Sequence, residues 1–432
     1  MADDLTQATT SRKARWRPSR NLLALSLVSF LTDASSEIIA PLLPLFLVGT
    51  LGASVAFVGI IEGTAESVAS LLKLVSGWWS DRLGRRKPLI LAGYGLASVM
   101  RPLMALATTP LEVLGIRVAD RVGKGVRASP RDALLAASVA PEERGKAYGF
   151  HRASDHAGAV VGPIIAIVCL QVLHMPLRQV FWVAAVPGVL SVLVVLFAVR
   201  EAPQGAPLSA PPPPPPPLAS PMPAQVPFPD AFAGRQRSDG QPASLGVPFR
   251  NSMVAVLVFT LGNSTDAFLL LRANQLGVPV AAIPLLWLVL HLVKMLSSPP
   301  GGSLSDRFGR RPLIVSGWLL YAVVYAGFAM ASKPWHVWAL FAVYGVVFGL
   351  TEGNQKALVA DLAPAERRGV AFGWYHAAIG VAALPASVLF GVLWDRFGVS
   401  TAFGAGSAIA LVATAVLLLA TPRSVRPASP EP

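Results

Sequence analysis

Seven charges fall within sixteen residues of this chain: Arg117, Asp120, Arg121, Lys124, Arg127, Arg131 and Asp132. Arginine binds a carboxylate or phosphate through two parallel N–H groups, and lysine does so as a point charge. Arg117, Arg121, Lys124 and Arg127 together are therefore a candidate clamp for an anion. Wound at about 100° per residue, all seven charges fall within an arc of roughly 140°. Val118, Ala119, Val122, Gly123, Val126 and Ala128 make up much of the rest of the surface. A solvated loop has no reason to sort its charges in this way. The spacing predicts a helix with one polar face, kinked at Pro130.

Other charges interrupt apolar surroundings. Asp33 and Glu37 lie one helical turn apart, as do Glu62 and Glu66, and Glu352 and Lys356. Lys73, Arg101, Arg152, Asp155, Asp266, Arg272 and Lys294 are similarly placed, with His151, His156, His291 and His376. Such groups have three uses. They pair with one another and hold elements together; they bind a charged solute; or they carry protons, because burial raises a carboxylate pKa and a nearby arginine lowers it again. The proton candidates are Asp33 first, then Glu37 and Glu66, with Asp120 and Asp155. For Asp33 a fixed pairing with Arg117 or Arg121 stays open. The solute-binding candidates are Arg117, Arg121, Lys124, Arg127, His151, Arg152, Asp266, Glu352 and Lys356. No tight His/Cys cluster suggests a metal. No Walker loop, dinucleotide fingerprint or nucleophile elbow is visible. Neither an enzyme nor an ATP-driven pump is expected, and no cofactor; a proton gradient is the expected energy source.

The elements that carry these residues belong in a membrane. The 432-residue chain is 53% hydrophobic and 14% charged, with a mean hydropathy of +0.57. Soluble domains carry about 25% charged residues. Twelve stretches are long enough to span, at about 20 residues each: 22–48, 54–79, 88–108, 111–138, 147–173, 177–199, 250–275, 279–304, 312–331, 335–362, 370–394 and 398–420. The net charge of +13 does not imply nucleic acid, because the basic residues concentrate on alternate connections. They lie in the arm 1–21, between helices two and three (Arg82, Arg85, Arg86, Lys87), four and five, eight and nine, and ten and eleven, and in the tail 422–432. Positive charge stays inside, so both termini are expected in the cytoplasm. Segment 200–249 contains seven consecutive prolines, Pro211 to Pro217, and reads as a cytoplasmic spacer. Cys169 is the sole cysteine, so no disulfide within the chain is possible. Trp287, deep in the eighth stretch, reads as cavity lining or ordinary packing.

The two halves, 22–199 and 250–421, repeat each other. "GWWSDRLGRRKPLI" (77–90) returns as "GSLSDRFGRRPLI" (302–314), and "ALLAASVAPEERGKAYG" (133–149) returns as "ALVADLAPAERRGVAFG" (357–373). Thr-Asp-Ala at 32–34 returns at 265–267. In that register Glu352 falls opposite Ala128 and Lys356 opposite Asp132, so the halves are not chemically equivalent. The arrangement predicted is an all-α membrane protein: two pseudo-symmetric six-helix bundles with a cavity between them.

The run Gly77, Asp81, Arg82, Gly84, Arg85, Arg86, with its echo at Asp306 and Arg307, resembles the conformational signature of the major facilitator superfamily. The resemblance covers nearly the whole chain. It implies the twelve-helix fold, alternating access, and docking of Asp81 on the start of helix eleven. Gly158, Gly162 and Pro163 resemble the G-x-x-x-G-P motif of the superfamily's proton-driven exporters, although Ile164, Ile165 and Ala166 follow where the fuller pattern has a glycine pair. Close helix packing is the other reading of those glycines. The expectation is a proton-coupled exporter of a small anionic or zwitterionic solute. A proton-coupled organic-anion importer, a multidrug efflux transporter and a non-transporting sensor are the alternatives. Expected partners are membrane lipid and the small solute, with no nucleic acid and a monomeric chain, in a bacterial inner membrane.

Overall fold

The structure, a computed structural model, describes residues 18–83, 85–139, 144–201, 245–363 and 368–420. Gly84 and the side chains of Asp81, Arg82 and Asp306 lie outside the described residues, and so does the expected docking of Asp81 on helix eleven. Most of the arm, most of the proline-rich segment and the tail also lie outside them.

Among the described residues the chain makes twelve long helical passes and no strand. The first six are α1 (Arg20–Thr50), α2 (Val55–Leu83), α3 (Lys87–Leu106), α4 (Pro110–Ala137), α5 (Ala147–Val172) and α6 (Leu177–Phe197). The second six are α7 (Val247–Gln275), α8 (Ile283–Phe308), α9 (Arg310–Met330), α10 (Pro334–Leu362), α11 (Arg368–Phe397) and α12 (Val399–Ala420). Eleven of the passes are apolar enough to cross a membrane by composition. The exception is α4, the charged run that opened the sequence analysis. It forms nonetheless, as a 28-residue helix. Thr109 and Glu112 cap its start reciprocally, with Pro110 at the first position. The expected kink at Pro130 does not interrupt it; helix continues on both sides.

Glycines decide how closely the helices approach. A methyl at Gly123 would meet the Gly93 carbonyl oxygen of α3, and one at Gly125 would meet Leu72 of α2 at 2.5 Å. α4 is thereby wedged between α2 and α3 with its charged face turned away from lipid. On the other side of the half, Gly158 seats α5 on Phe30 and Asp33 of α1, and Gly162 seats it on Ala34 and Glu37. A Cβ there would come within 2.6 Å of the Glu37 Cβ. Close packing of small residues needs no large side chain to be displaced.

α7 departs from its sequence counterpart. Thr32 to Ala34 sit within the uninterrupted stretch Arg20–Ile39 of α1, whereas the matching segment breaks α7 between Gly262 and Ala267. Gly262 and Asn263 are poor helix formers. Side chains brace the break: Tyr321 donates to the Gly262 carbonyl at 2.9 Å, Ser264 Oγ lies 3.3 Å from the Tyr325 hydroxyl, and Tyr344 donates to Asp266 at 2.7 Å. These tyrosines join Phe259, Trp318 and Phe403 in a buried aromatic core without a counterpart among the described residues of the first half.

The halves meet along α2 and α11. Gly59 and Gly63 pack on Ser387 and Leu384, and Ser67 donates to the Gly380 carbonyl at 2.5 Å. Among the described residues no hydrogen bond joins the halves between Ser67 and the end where the arginine-rich connections lie. At the opposite end they are tied. Asp395, in the last turn of α11, accepts from the Val55 and Ala56 amides at 3.3 and 2.8 Å, capping the start of α2. Gln171 of α5 donates to the Ala281 carbonyl at 2.7 Å, just before α8.

Candidate functional site

A cavity of about 380 Å³ lies between the halves. α1, α3, α4 and α5 line it from one side, α8 and α10 from the other. Eight arginines and lysines and five carboxylates face it.

α4 supplies most of the charge, and its groups are not equivalent. Arg117 is held by Glu62 of α2 through two parallel bonds, at 2.9 and 2.8 Å. Asp120, 3.8 Å from Arg117, accepts from Arg101 of α3 at 3.0 Å. Arg101 in turn donates to the Thr32 carbonyl of α1 at 2.8 Å. These buried groups link four helices, and their charges are mutually satisfied. Arg127 stacks on Tyr94 at 4.3 Å and reaches the Gly93 carbonyl.

Two cations are left over. Arg121 approaches only Asp120, at 4.0 Å, and its buried Nε has no hydrogen-bond partner. Among the described residues Lys124 has neither an ion pair nor a hydrogen bond, and both groups line the cavity. Asp33 faces the same space and also has no ion pair among the described residues. Its fixed pairing with Arg117 or Arg121, left open by the sequence, does not occur.

Across the cavity one carboxylate serves two lysines. Glu352 of α10 lies 3.2 Å from Lys294 of α8 and 3.1 Å from Lys356. Lys294 also rests over the Phe348 ring at 4.1 Å. Glu37 of α1 accepts from the Trp287 indole N–H of α8 at 2.6 Å, a bond that joins the halves. Arg152 and Asp155 of α5 pair loosely at 3.6 Å on the cavity wall.

Three residues singled out from sequence lie off this wall. Glu66 faces α2's own Ser70, which donates to it at 3.2 Å. His151 is buried against Ser26 at 3.5 Å. Asp266 is held by Tyr344 at the break in α7. None of the three lines the cavity. Conversely, Arg101, Lys294, His156 and His291 line it without having been chosen as binding candidates. Their signal was present, as isolated charges in apolar runs, but the pairing partners lie on other helices. Trp287 had no signal beyond its depth.

Gly158, Gly162 and Pro163 do not face the solute space. The two glycines bring α5 onto α1 beside Asp33 and Glu37, so the packing reading describes their contacts.

Two bundles of six helices around a central polar cavity define a membrane transporter of the alternating-access architecture. A family model described as Major Facilitator Superfamily matches residues 25–293 and 251–432. An uncharacterised MFS-type transporter of Methanocaldococcus jannaschii is 31% identical over 406 residues, covering 93% of this chain and 94% of its own length. The multidrug resistance protein MdtH of Cronobacter sakazakii is 34% identical over 134 residues, 31% of this chain and 33% of its own. Among solved structures, a bacterial homolog of the human lysosomal transporter Spinster, inward-facing and occupied, matches with a TM-score of 0.72 at 17% identity, covering 94% of this chain and 97% of that one. The chain belongs to the major facilitator superfamily.

Proposed function

We propose that this protein is a proton-coupled exporter of a small anionic or zwitterionic solute. Arg121 and Lys124 carry the reading: they face the cavity, Lys124 with no carboxylate within ion-pair distance among the described residues and Arg121 with only Asp120, which Arg101 already holds, at 4.0 Å. A buried cation without a partner is costly at membrane depth, and an anionic group of the solute relieves that cost. A purely apolar solute would leave it in place. The unpaired Asp33 is the proton site in this reading, since its protonation state is free to follow what occupies the cavity.

The direction rests on two supports. The helix-five glycine motif resembles that of exporters, and part of the chain aligns with a multidrug resistance protein. In this reading the arginine-rich end, where no described hydrogen bond joins the halves, faces the cytoplasm, with both termini. The molecule is then open inward, as one bundle rocks against the other to expose the site in turn. Residues 200–249 act as the spacer between bundles, and one chain is the working unit.

Everted membrane vesicles, energised acid inside and read with a pH-sensitive dye, test the proposal. Organic anions are added singly against an Asp33→Asn control. Substrate-triggered loss of internal acidity, absent in the control, is expected. If anions bind the purified protein but none moves protons, the coupling assignment fails.

A further inference from the structure

We infer that the solute carries two negative charges and bridges the halves, one acidic group on Arg121 and Lys124 and the other on the Lys294–Lys356 pair. This deepens the anion reading above and rests on it.

The balance of charge is the first observation. Eight arginines and lysines face the cavity, against five carboxylates; behind the wall Glu62 is committed to Arg117, and Glu66 and Lys73 of α2 add one charge of each sign and cancel. With histidines neutral, the excess is two positive charges. A monoanion leaves one uncompensated, and a dianion brings the closed site to neutrality. Net charge sealed away from water is expensive, so this difference weighs most when the site closes.

The distribution of the excess is the second observation. On the first half Arg101, Arg117 and Asp120 are satisfied within the α1–α4 network, and Arg127 rests on Tyr94. That leaves Arg121 and Lys124, one turn apart on α4. On the second half Lys294 and Lys356 share a single carboxylate, that of Glu352. One of these two positive charges is therefore unmatched. The sites lie on α4 and on α8 and α10, opposite walls of one cavity. A solute with an acidic group at each end engages both bundles at once. That gives it a differential interaction with the closed state, which is what any ligand needs in order to drive a conformational change. A monoanion satisfies one bundle and leaves the other unaffected.

The chemistry fixed by this arrangement is two carboxylates on a short skeleton.

Purified full-length protein in detergent, at fixed pH and ionic strength, is titrated by thermal unfolding. The probes are butyrate, succinate and glutarate, with tetraphenylphosphonium as the cationic control. Saturable stabilisation by the dianions is expected, with half-saturation at least about tenfold below that of butyrate, since one charged contact is worth about a factor of ten. Lys356→Gln is expected to abolish that preference, bringing the half-saturation of the dianions to the level of butyrate. Lys124→Gln is expected to weaken both classes. The ligand-free unfolding temperature of each variant reports whether it folds. If butyrate binds as tightly as succinate, or if Lys356→Gln keeps the preference, the two-charge inference is overturned while the anion reading stands. If only tetraphenylphosphonium binds, both are overturned.

Discussion

Each charge on α4 is defined by what it already touches. Arg117 and Asp120 belong to a closed buried network, so removing one partner leaves the other uncompensated, at about 3–5 kcal/mol. Asp120→Asn is therefore expected to lower the unfolding temperature of the purified protein by several degrees, whereas Arg121→Gln leaves it nearly unchanged and weakens anion binding. Equal effects on stability would contradict the division between structural and solute-facing cations. The clustering of these charges on one face was legible from spacing alone. Their division was not, because it depends on Glu62 of α2, Arg101 of α3 and Tyr94 of α3, and nothing in α4 announces which neighbour each side chain reaches. Glu66 illustrates the same limit: its spacing matches that of Glu62, yet it faces Ser70 and not the cavity.

Helices are set against one another chiefly by glycines at crossings. Gly158→Ala would place a methyl against the Phe30 carbonyl and the Asp33 Cβ, and Gly162→Ala would place one at Glu37. Each is expected to push α5 from α1, to destabilise the protein by about 1–3 kcal/mol, and to abolish transport by displacing those carboxylates. Gly95→Ala meets nothing within 4 Å and is expected to be neutral or slightly stabilising. Thermal unfolding and vesicle transport on the three variants check this, and tolerance of alanine at Gly158 would sink it. The small-xxx-small spacing showed this crossing in the sequence. The break in α7 was hidden, because Thr-Asp-Ala also occurs inside the uninterrupted stretch Arg20–Ile39 of α1. The aromatic side chains of α9 and α10 that hold it open come from far along the chain.

At the scale of the whole molecule, the tie between α11 and the start of α2 is expected to bias which state prevails. Gly391 to Gly398, "GVLWDRFG", is a third copy of the G-x-x-x-D-R-x-G pattern found at 77–84 and 302–309. It stands at the opposite end of the bundle, and its Asp395 caps α2 across the interface. A carboxylate at a helix N-terminus is worth about 0.3–1 kcal/mol, up to ~2 when partly buried. Asp395→Ala is expected to raise the fraction of molecules open at this end several-fold. Spin labels at Ser54 and Val399, in a Cys169→Ser background, should report a growing long-distance population. An unchanged distance distribution would remove Asp395 from the switching mechanism. Glu201 makes the corresponding cap at the other end, on the amides of Arg86 and Lys87, but within one bundle. It fixes where the first bundle ends and does not hold the halves together.

The composition of α4 has a consequence for how the protein is made. Eleven passes are apolar enough to enter the bilayer on their own account, and α4 is not. A charged residue at mid-membrane costs about 2.5–3.5 kcal/mol during insertion. As it leaves the ribosome, α4 therefore has no favourable place in lipid until Arg101 and Glu62 are beside it to receive Asp120 and Arg117. Both partners lie upstream, on helices already synthesised. Because α2 and α3 precede α4 in the chain, the same ion pairs that shape the cavity also offset the cost of placing α4 in the membrane.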